Sequence, residues 1–266
     1  MILLVDVGNT QTVFSVKSEN GFLSWRLNTK RDEVPSTYRS FLNACFKDIA
    51  KSVDDIDAVM VASVVPSVDK VLRAFFKNDL YVPIEFVSAL SDYLEMNILI
   101  DQPETLGADR VVNAVYAKEK CDAACVIVDF GTATTFDVID GQGDYVGGVI
   151  APGVNLSMSA LYQAAAKLPK IELKPVQKVL AKNTVDAMNS GVFLGYASMV
   201  EGMIARLEKD LGQSLQVIAT GGLASLFESE IDRIDLVESD LTVTGLDILA
   251  QRMFANLDSR KAISNG

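Results

Sequence analysis

Two short segments carry the residues best suited to chemistry: Asp6-Val7-Gly8-Asn9-Thr10-Gln11-Thr12 and Asp129-Phe130-Gly131-Thr132-Ala133-Thr134-Thr135. Each directly follows an apolar, strand-like run, residues 2–5 or 124–128. Each continues into a second strand, 13–16 or 136–139, and then bends at Glu19-Asn20-Gly21-Phe22 or Asp140-Gly141-Gln142-Gly143. The pattern is a repeated β-hairpin with polar residues at its bend. Gly8 and Gly131 let backbone N–H groups approach an anion closely, while Asn9, Thr10 and Thr132 offer amide and hydroxyl contacts. Asp6 and Asp129 cannot bind phosphate themselves; their carboxylates suit a metal ion, or a metal-bound water, lying between protein and phosphate. One copy alone reads equally well as an ordinary turn after a strand. The matched pair points to a phosphate-gripping device used twice.

Two further clusters stand out. Gly107-Ala108-Asp109-Arg110 opens a stretch of helical periodicity, where unpaired N–H groups favour anions. There an Asp can orient and deprotonate an alcohol, and an Arg can bind carboxylate or phosphate oxygens, although a cap and a surface charge explain the same pair of residues. Ala219-Thr220-Gly221-Gly222 follows a strand and reads as a strand-to-helix turn that needs small residues. The chain has no histidine. That excludes Ser-His-Asp and Cys-His catalysis, the His-Glu-x-x-His zinc site and any imidazole base, so a general base must be a carboxylate or, failing that, Lys, Tyr or Cys.

The 266 residues suffice for two domains sharing a cleft, and 49% hydrophobic content is ample for buried cores. A formal net charge of −11 without a Lys/Arg cluster argues against nucleic acid or an anionic membrane surface as partner. Met1 leads straight into the first strand, and no apolar run approaches the roughly 20 residues that span a bilayer, so a cytoplasmic protein is expected. Cys45, Cys121 and Cys125 lack metal-site spacing and read as core thiols.

The elements that must hold these residues follow from periodicity. Residues 33–52 place Tyr38, Phe41, Leu42, Cys45, Phe46 and Ile49 at helical spacing. The run 58–65 is a buried strand, followed by a helix from Pro66 to about Asn78 and a short strand at 84–87. Residues 106–120 are helical, as are 154–167, about 184–211 and 246–256, with a strand at 215–219. The predicted fold is α/β, with two pseudo-equivalent halves built on hairpin-led mixed sheets flanked by helices. The expected division is 1–114, 115–256 and a flexible tail at 257–266. The helix from Thr184 carries Ala187, Met188, Gly191, Val192, Leu194, Gly195, Ala197, Met199 and Val200, apolar or small over more than half its circumference, which suits a symmetric subunit interface.

This arrangement resembles the actin-like (ribonuclease H-like) architecture of sugar kinases and heat-shock ATPases. The resemblance implies that the two hairpins clasp ATP phosphates from opposite walls of a cleft and that Gly221-Gly222 contacts adenosine. More specifically, Asp6-Val7-Gly8-Asn9-Thr10, Ala62-Ser63-Val64-Val65-Pro66, the run from Gly107 to Ala114, the run from Val128 to Asp137, the run from Gly147 to Gly153, Asn183-Thr184, Ser190-Gly191 and Ala219-Thr220-Gly221-Gly222 together resemble the type III pantothenate kinases nearly end to end. That resemblance implies ATP-dependent phosphorylation of the primary hydroxyl of pantothenate, the first step towards coenzyme A, in a homodimer that uses Mg2+ and a monovalent cation, K+ or NH4+. By the same resemblance Asp109 is the catalytic residue, and Gly107, Ala108 and Arg110 bind pantothenate. Thr184 reaches the partner subunit's substrate. Asp6, Val7, Gly8, Asn9, Thr10, Gln11, Gly131, Thr132, Gly221 and Gly222 bind the nucleotide. Asp129 is the ligand of the monovalent cation, and Asp6 serves magnesium through water. The family usually has Tyr-x-Asn-Pro shortly before Gly-Ala-Asp-Arg; here the residues are Ile100-Asp101-Gln102-Pro103, so a tyrosine contact to substrate does not carry over. A catalytically idle ATP-binding regulator, related to the Bvg accessory factors, is the alternative reading of the same motifs, and a different phosphoryl acceptor is a third.

Overall fold

A computed structural model describes residues 1–165 and 167–255. The expected tail at 257–266 lies outside the described residues. The chain forms two compact units, one of residues Met1–Tyr116 together with 240–255, the other of Ala117–Ser239.

The first unit is built on a five-stranded sheet. Its strands are β1 (Ile2–Val7), β2 (Gln11–Ser18), β3 (Gly21–Asn28), β4 (Ala58–Ser63) and β5 (Ile84–Phe86), in the order β3-β2-β1-β4-β5. The hairpin pairs β1–β2 and β2–β3 are antiparallel, whereas β4 runs parallel to both β1 and β5. Alternation along the strands sends Leu3, Val5, Val59 and Val61 to one face, where α1 (Pro35–Lys47) and α2 (Pro66–Arg73) supply Tyr38, Leu42, Phe46, Val68 and Leu72. Leu4, Met60 and Ala62 point to the other face, against Val111, Val112 and Val115 of α3 (Ala108–Lys120). Pro35 and Pro66 each sit in the first turn of their helices, where a missing N–H costs nothing.

The second unit repeats the plan. Its strands β6 (Cys125–Phe130), β7 (Ala133–Ile139), β8 (Tyr145–Pro152), β9 (Gln216–Thr220) and β10 (Leu236–Val237) take the order β10-β9-β6-β7-β8, the same topology read from the other edge. Again the first three strands form antiparallel pairs and the rest pair in parallel. Val126, Val128, Phe130 and Phe136 pack on α4 (Val154–Ala164), α5 (Thr184–Leu211) and α6 (Ala224–Phe227). Phe227 lies at the centre, its ring 5.1 Å from Phe130 and 5.0 Å from Phe193 in near-parallel stacks. The expected bounds of α5 hold at both ends: the Asn183 side chain caps the start, and Gly212, with φ of 67°, ends it in the left-handed region.

The last helix, α7 (Leu241–Phe254), differs from the sequence expectation that put it in the second domain. Leu246, Leu249, Ala250 and Phe254 join the cluster around Leu4, Ala58 and Met60, so α7 covers β1 and β4 of the first sheet. The helix also begins earlier than residue 246. Gly245 stands inside it because an added Cβ would lie 2.4 Å from the carbonyl oxygen of Val112 on α3. A glycine that reads as a helix breaker is here the condition for close helix packing.

Candidate active site

In the first unit, Asp6 shares the sheet face of Leu4, the face covered by α3 and α7, and lies half-buried one residue from the end of β1. The chain then turns through Gly8, Asn9 and Thr10, of which Asn9 and Thr10 are exposed, with Gln11 also exposed at the start of β2. The Gly8 N–H closes the loop on the Gln11 carbonyl at 2.9 Å, and the carbonyl of buried Val7 accepts from the Val64 N–H at 3.1 Å. Val64 in turn stands beside Gly107: a Cβ on Gly107 would lie 3.5 Å from the Val64 side chain and 2.6 Å from Asp109 Oδ1. The Asp6 loop, the end of β4 and the start of α3 therefore meet at the carboxyl ends of two parallel strands, the usual place for a ligand in α/β sheets.

The Asp109 carboxylate folds back over Gly107, so a side chain there would have to displace it. Asp109 Oδ1 accepts the Arg110 N–H at 2.8 Å. Burial pushes the Asp109 carboxyl above its ordinary value of 3.8, opposed by that N–H and by the Arg110 charge. Desolvation thus outweighs the neighbouring cation at this carboxylate. Ala108 is buried and anchors the helix start, and Arg110 is half-buried beside Asp109.

In the second unit, Asp129 occupies the position of Asp6, half-buried near the end of β6, with Gly131 and Thr132 exposed. The two loops are not identical. Val7 pairs with Thr12, whereas Phe130 pairs with Thr134, so the second loop is one residue shorter. Thr12 thus corresponds to Thr134, both fully buried, and not to Thr135 as alignment from the Asp residues suggests. Gly221 comes directly to Asp129: with φ of 90°, an added Cβ would lie 2.4 Å from Asp129 Oδ1 and 2.8 Å from the Phe130 backbone. Gly222 follows, exposed, ahead of α6. The structure therefore brings Asp129, Gly131 and Gly221 together within this unit. Thr184 stands apart from them, exposed at the first position of α5.

Two supports were not read from the sequence. Thr29, just after β3, donates its hydroxyl to the Gly8 carbonyl at 2.8 Å and its N–H to the Thr10 carbonyl at 3.0 Å. Gly153, just after β8, presses on the second loop at the matching place, where an added Cβ would lie 2.2 Å from the Thr132 carbonyl oxygen. The available signal was position: each is the first residue beyond the third strand of its hairpin. Among the described residues no cluster of three or more His, Cys, Asp or Glu could form a metal centre by protein ligands alone. No described helix is long and apolar enough to cross a membrane.

Two sheets of one topology, each opening on an Asp-Gly loop and flanked by helices, define the class as an actin-like α/β fold. Consistent with that, the chain aligns at a TM-score of 0.57 and 12% identity with a structure from Sinorhizobium meliloti described as a 2-dehydro-3-deoxygalactonokinase, over 94% of this chain and 96% of the other. Residues 2–206 match the type III pantothenate kinase family. The type III pantothenate kinase of Rhodospirillum rubrum is 41% identical over 95% of this chain and 98% of its own length, and that of Desulfatibacillum aliphaticivorans 43% over 95% and 99%. The chain belongs to the type III pantothenate kinase family.

Proposed function

We propose that this chain transfers the terminal phosphoryl group of ATP to the primary hydroxyl of pantothenate, giving 4'-phosphopantothenate. The observation that carries this reading is the desolvated Asp109 carboxylate, set at a helix start beside the Asp6 loop with its neighbour Arg110. Asp109 accepts the hydroxyl proton as the oxygen attacks phosphorus, and Arg110 binds the substrate's carboxylate, with Gly107 and Ala108 shaping the pocket wall. In the first unit, the stretch from Asp6 to Gln11 serves the ATP phosphates. In the second, Gly131 and Thr132 serve phosphate, and the Gly221-Gly222 turn serves adenosine.

The donor sets fit the ions that such a reaction needs. Asp6 and Thr10 present hard oxygen ligands and suit Mg2+ held through water; the Asp129 carboxylate suits a larger monovalent cation, K+ or NH4+. When bound, these ions offset phosphate charge that the two carboxylates would otherwise repel. A homodimer and a cytoplasmic location belong to the same reading. The dimer is supported by apolar Val179, Leu180 and Val185, all exposed around Thr184, and by open space above Gly191 and Gly195 on α5. In such a dimer Thr184 completes the neighbour's substrate site.

The test is incubation of purified protein with ATP, Mg2+ and pantothenate, with and without K+, followed by mass detection of phosphopantothenate. Nucleotide binding without that product would favour the idle regulator instead.

A further inference from the structure

The first loop is shaped by a residue outside every motif. Thr29 grips the loop from one side at two points: its hydroxyl on the Gly8 carbonyl at 2.8 Å, its N–H on the Thr10 carbonyl at 3.0 Å. The Thr12 hydroxyl, on a fully buried residue, sits 3.0 Å from the Thr29 hydroxyl and helps fix its rotamer. A trans peptide unit is planar, and its N–H points opposite to its C=O. Holding the Gly8 carbonyl towards Thr29 therefore turns the Asn9 N–H away from Thr29. Among the described residues that N–H has no hydrogen-bond acceptor, and Asn9 is exposed. Glycine at position 8 tolerates either orientation of the Gly8–Asn9 peptide, and the Thr29 hydroxyl holds one of them.

We propose that Thr29 is a positioning residue for nucleotide: its hydroxyl fixes the Gly8–Asn9 peptide so that the Asn9 N–H is presented to a phosphate oxygen. The inference rests on the assignment of the Gly8–Gln11 loop to ATP phosphate. The second unit is built differently at this place. There the equivalent residue, Gly153, has no side chain, and the Gly131 and Thr132 carbonyls occupy the space where one would lie. In both units the residue following the third strand faces loop carbonyls, and only in the first does it bear a hydroxyl that holds one.

The experiment compares wild type, Thr29→Val and Thr29→Ser. MgATP affinity is measured by calorimetry without pantothenate, and KM and kcat for both substrates by steady-state kinetics. Valine keeps the shape and removes the donor, so MgATP Kd and KM should rise about tenfold, the usual effect of losing one hydrogen bond to a charged acceptor. KM for pantothenate should stay within about twofold, and Thr29→Ser should return MgATP affinity to within about threefold of wild type. A merely structural Thr29 would instead lower kcat or the active fraction with MgATP affinity unchanged, which overturns the inference while leaving the kinase reading intact. If wild type binds MgATP but forms no phosphopantothenate, the acceptor assignment fails and the calorimetry still decides on Thr29. Wild type that binds no MgATP overturns both. Should Thr29→Val not fold, Thr29→Ala against Thr29→Ser gives the same comparison.

Discussion

Replacing Asp109 by Asn separates chemistry from structure because of how the carboxylate is held. Oδ1 accepts the Arg110 N–H at 2.8 Å, a bond that an amide oxygen accepts equally well, so the start of α3 should stay intact. What is lost is the ability to take a proton, worth about 10²–10⁴ in kcat for a general base, or roughly 3–5 kcal/mol of barrier. Stability should move the other way. Burial raises the folded-state pKa of Asp109 above its unfolded value, so the ionised group costs stability at every pH above the ordinary carboxylate range. Asp109→Asn removes that cost, and its Tm at pH 7.5 should equal or exceed that of wild type. In the wild type, kcat/KM should fall with acid along a limb lying above 3.8, and the residual rate of the variant should lack that limb. Coupling ADP release to NADH oxidation gives the rates, calorimetry gives MgATP affinity, and scanning fluorimetry gives Tm. An Asp109→Asn enzyme within tenfold of wild-type kcat, or one that lost ATP binding and activity together, would refute the reasoning.

Gly221→Ala forces a Cβ to 2.4 Å from Asp129 Oδ1 at a φ of 90°, so a destabilisation of about 3 kcal/mol and a Tm lower by roughly 5–10 °C are expected; an unchanged Tm would contradict the described contact. Activity should rise steeply with K+ or NH4+ in sodium-free buffer, and Asp129→Ala should abolish the response; equal rates with and without these ions would remove the cation from the reading. Mixing inactive Asp109→Asn with impaired Thr184→Arg should restore part of the activity, because a mixed dimer regains one site with both residues intact. A fully active monomer by sedimentation, or no rescue despite proven subunit exchange, defeats the arrangement.

The duplicated hairpins were legible because their key residues are polar and glycine residues at fixed offsets from apolar strands, a signal that survives without tertiary context. The limits of α5 were legible for a similar reason, since Asn183 and Gly212 act locally. Register was not. Counting from Asp6 and Asp129 pairs Thr12 with Thr135, but loop length is set by where the ladder resumes, which makes Thr134 the counterpart in position. The third strand of the second sheet, β8, was hidden by Gly147 and Gly148, which weaken strand propensity, and the ladder beside them is irregular between Val138 and Ile139. Thr29 escaped notice because one threonine after a strand carries no pattern; its role exists only through two carbonyls brought to it by the fold. The helix α1, expected over 33–52, stops at Lys47, and the chain passes Ala50 with φ of 53° before its next strand.

The placement of α7 has a consequence for how the protein is made. The second unit is one continuous stretch, residues Ala117–Ser239, and can complete its sheet as soon as that stretch has left the ribosome. The first unit begins earlier but finishes later, because Leu4, Ala58 and Met60 wait for Leu246, Leu249 and Phe254 to cover them. Until α7 emerges, the part of their sheet face that α3 leaves open stays exposed. The unit begun first is therefore the last to be completed, and a chain ending at Ser239 would present that part of the face to chaperones or to other chains.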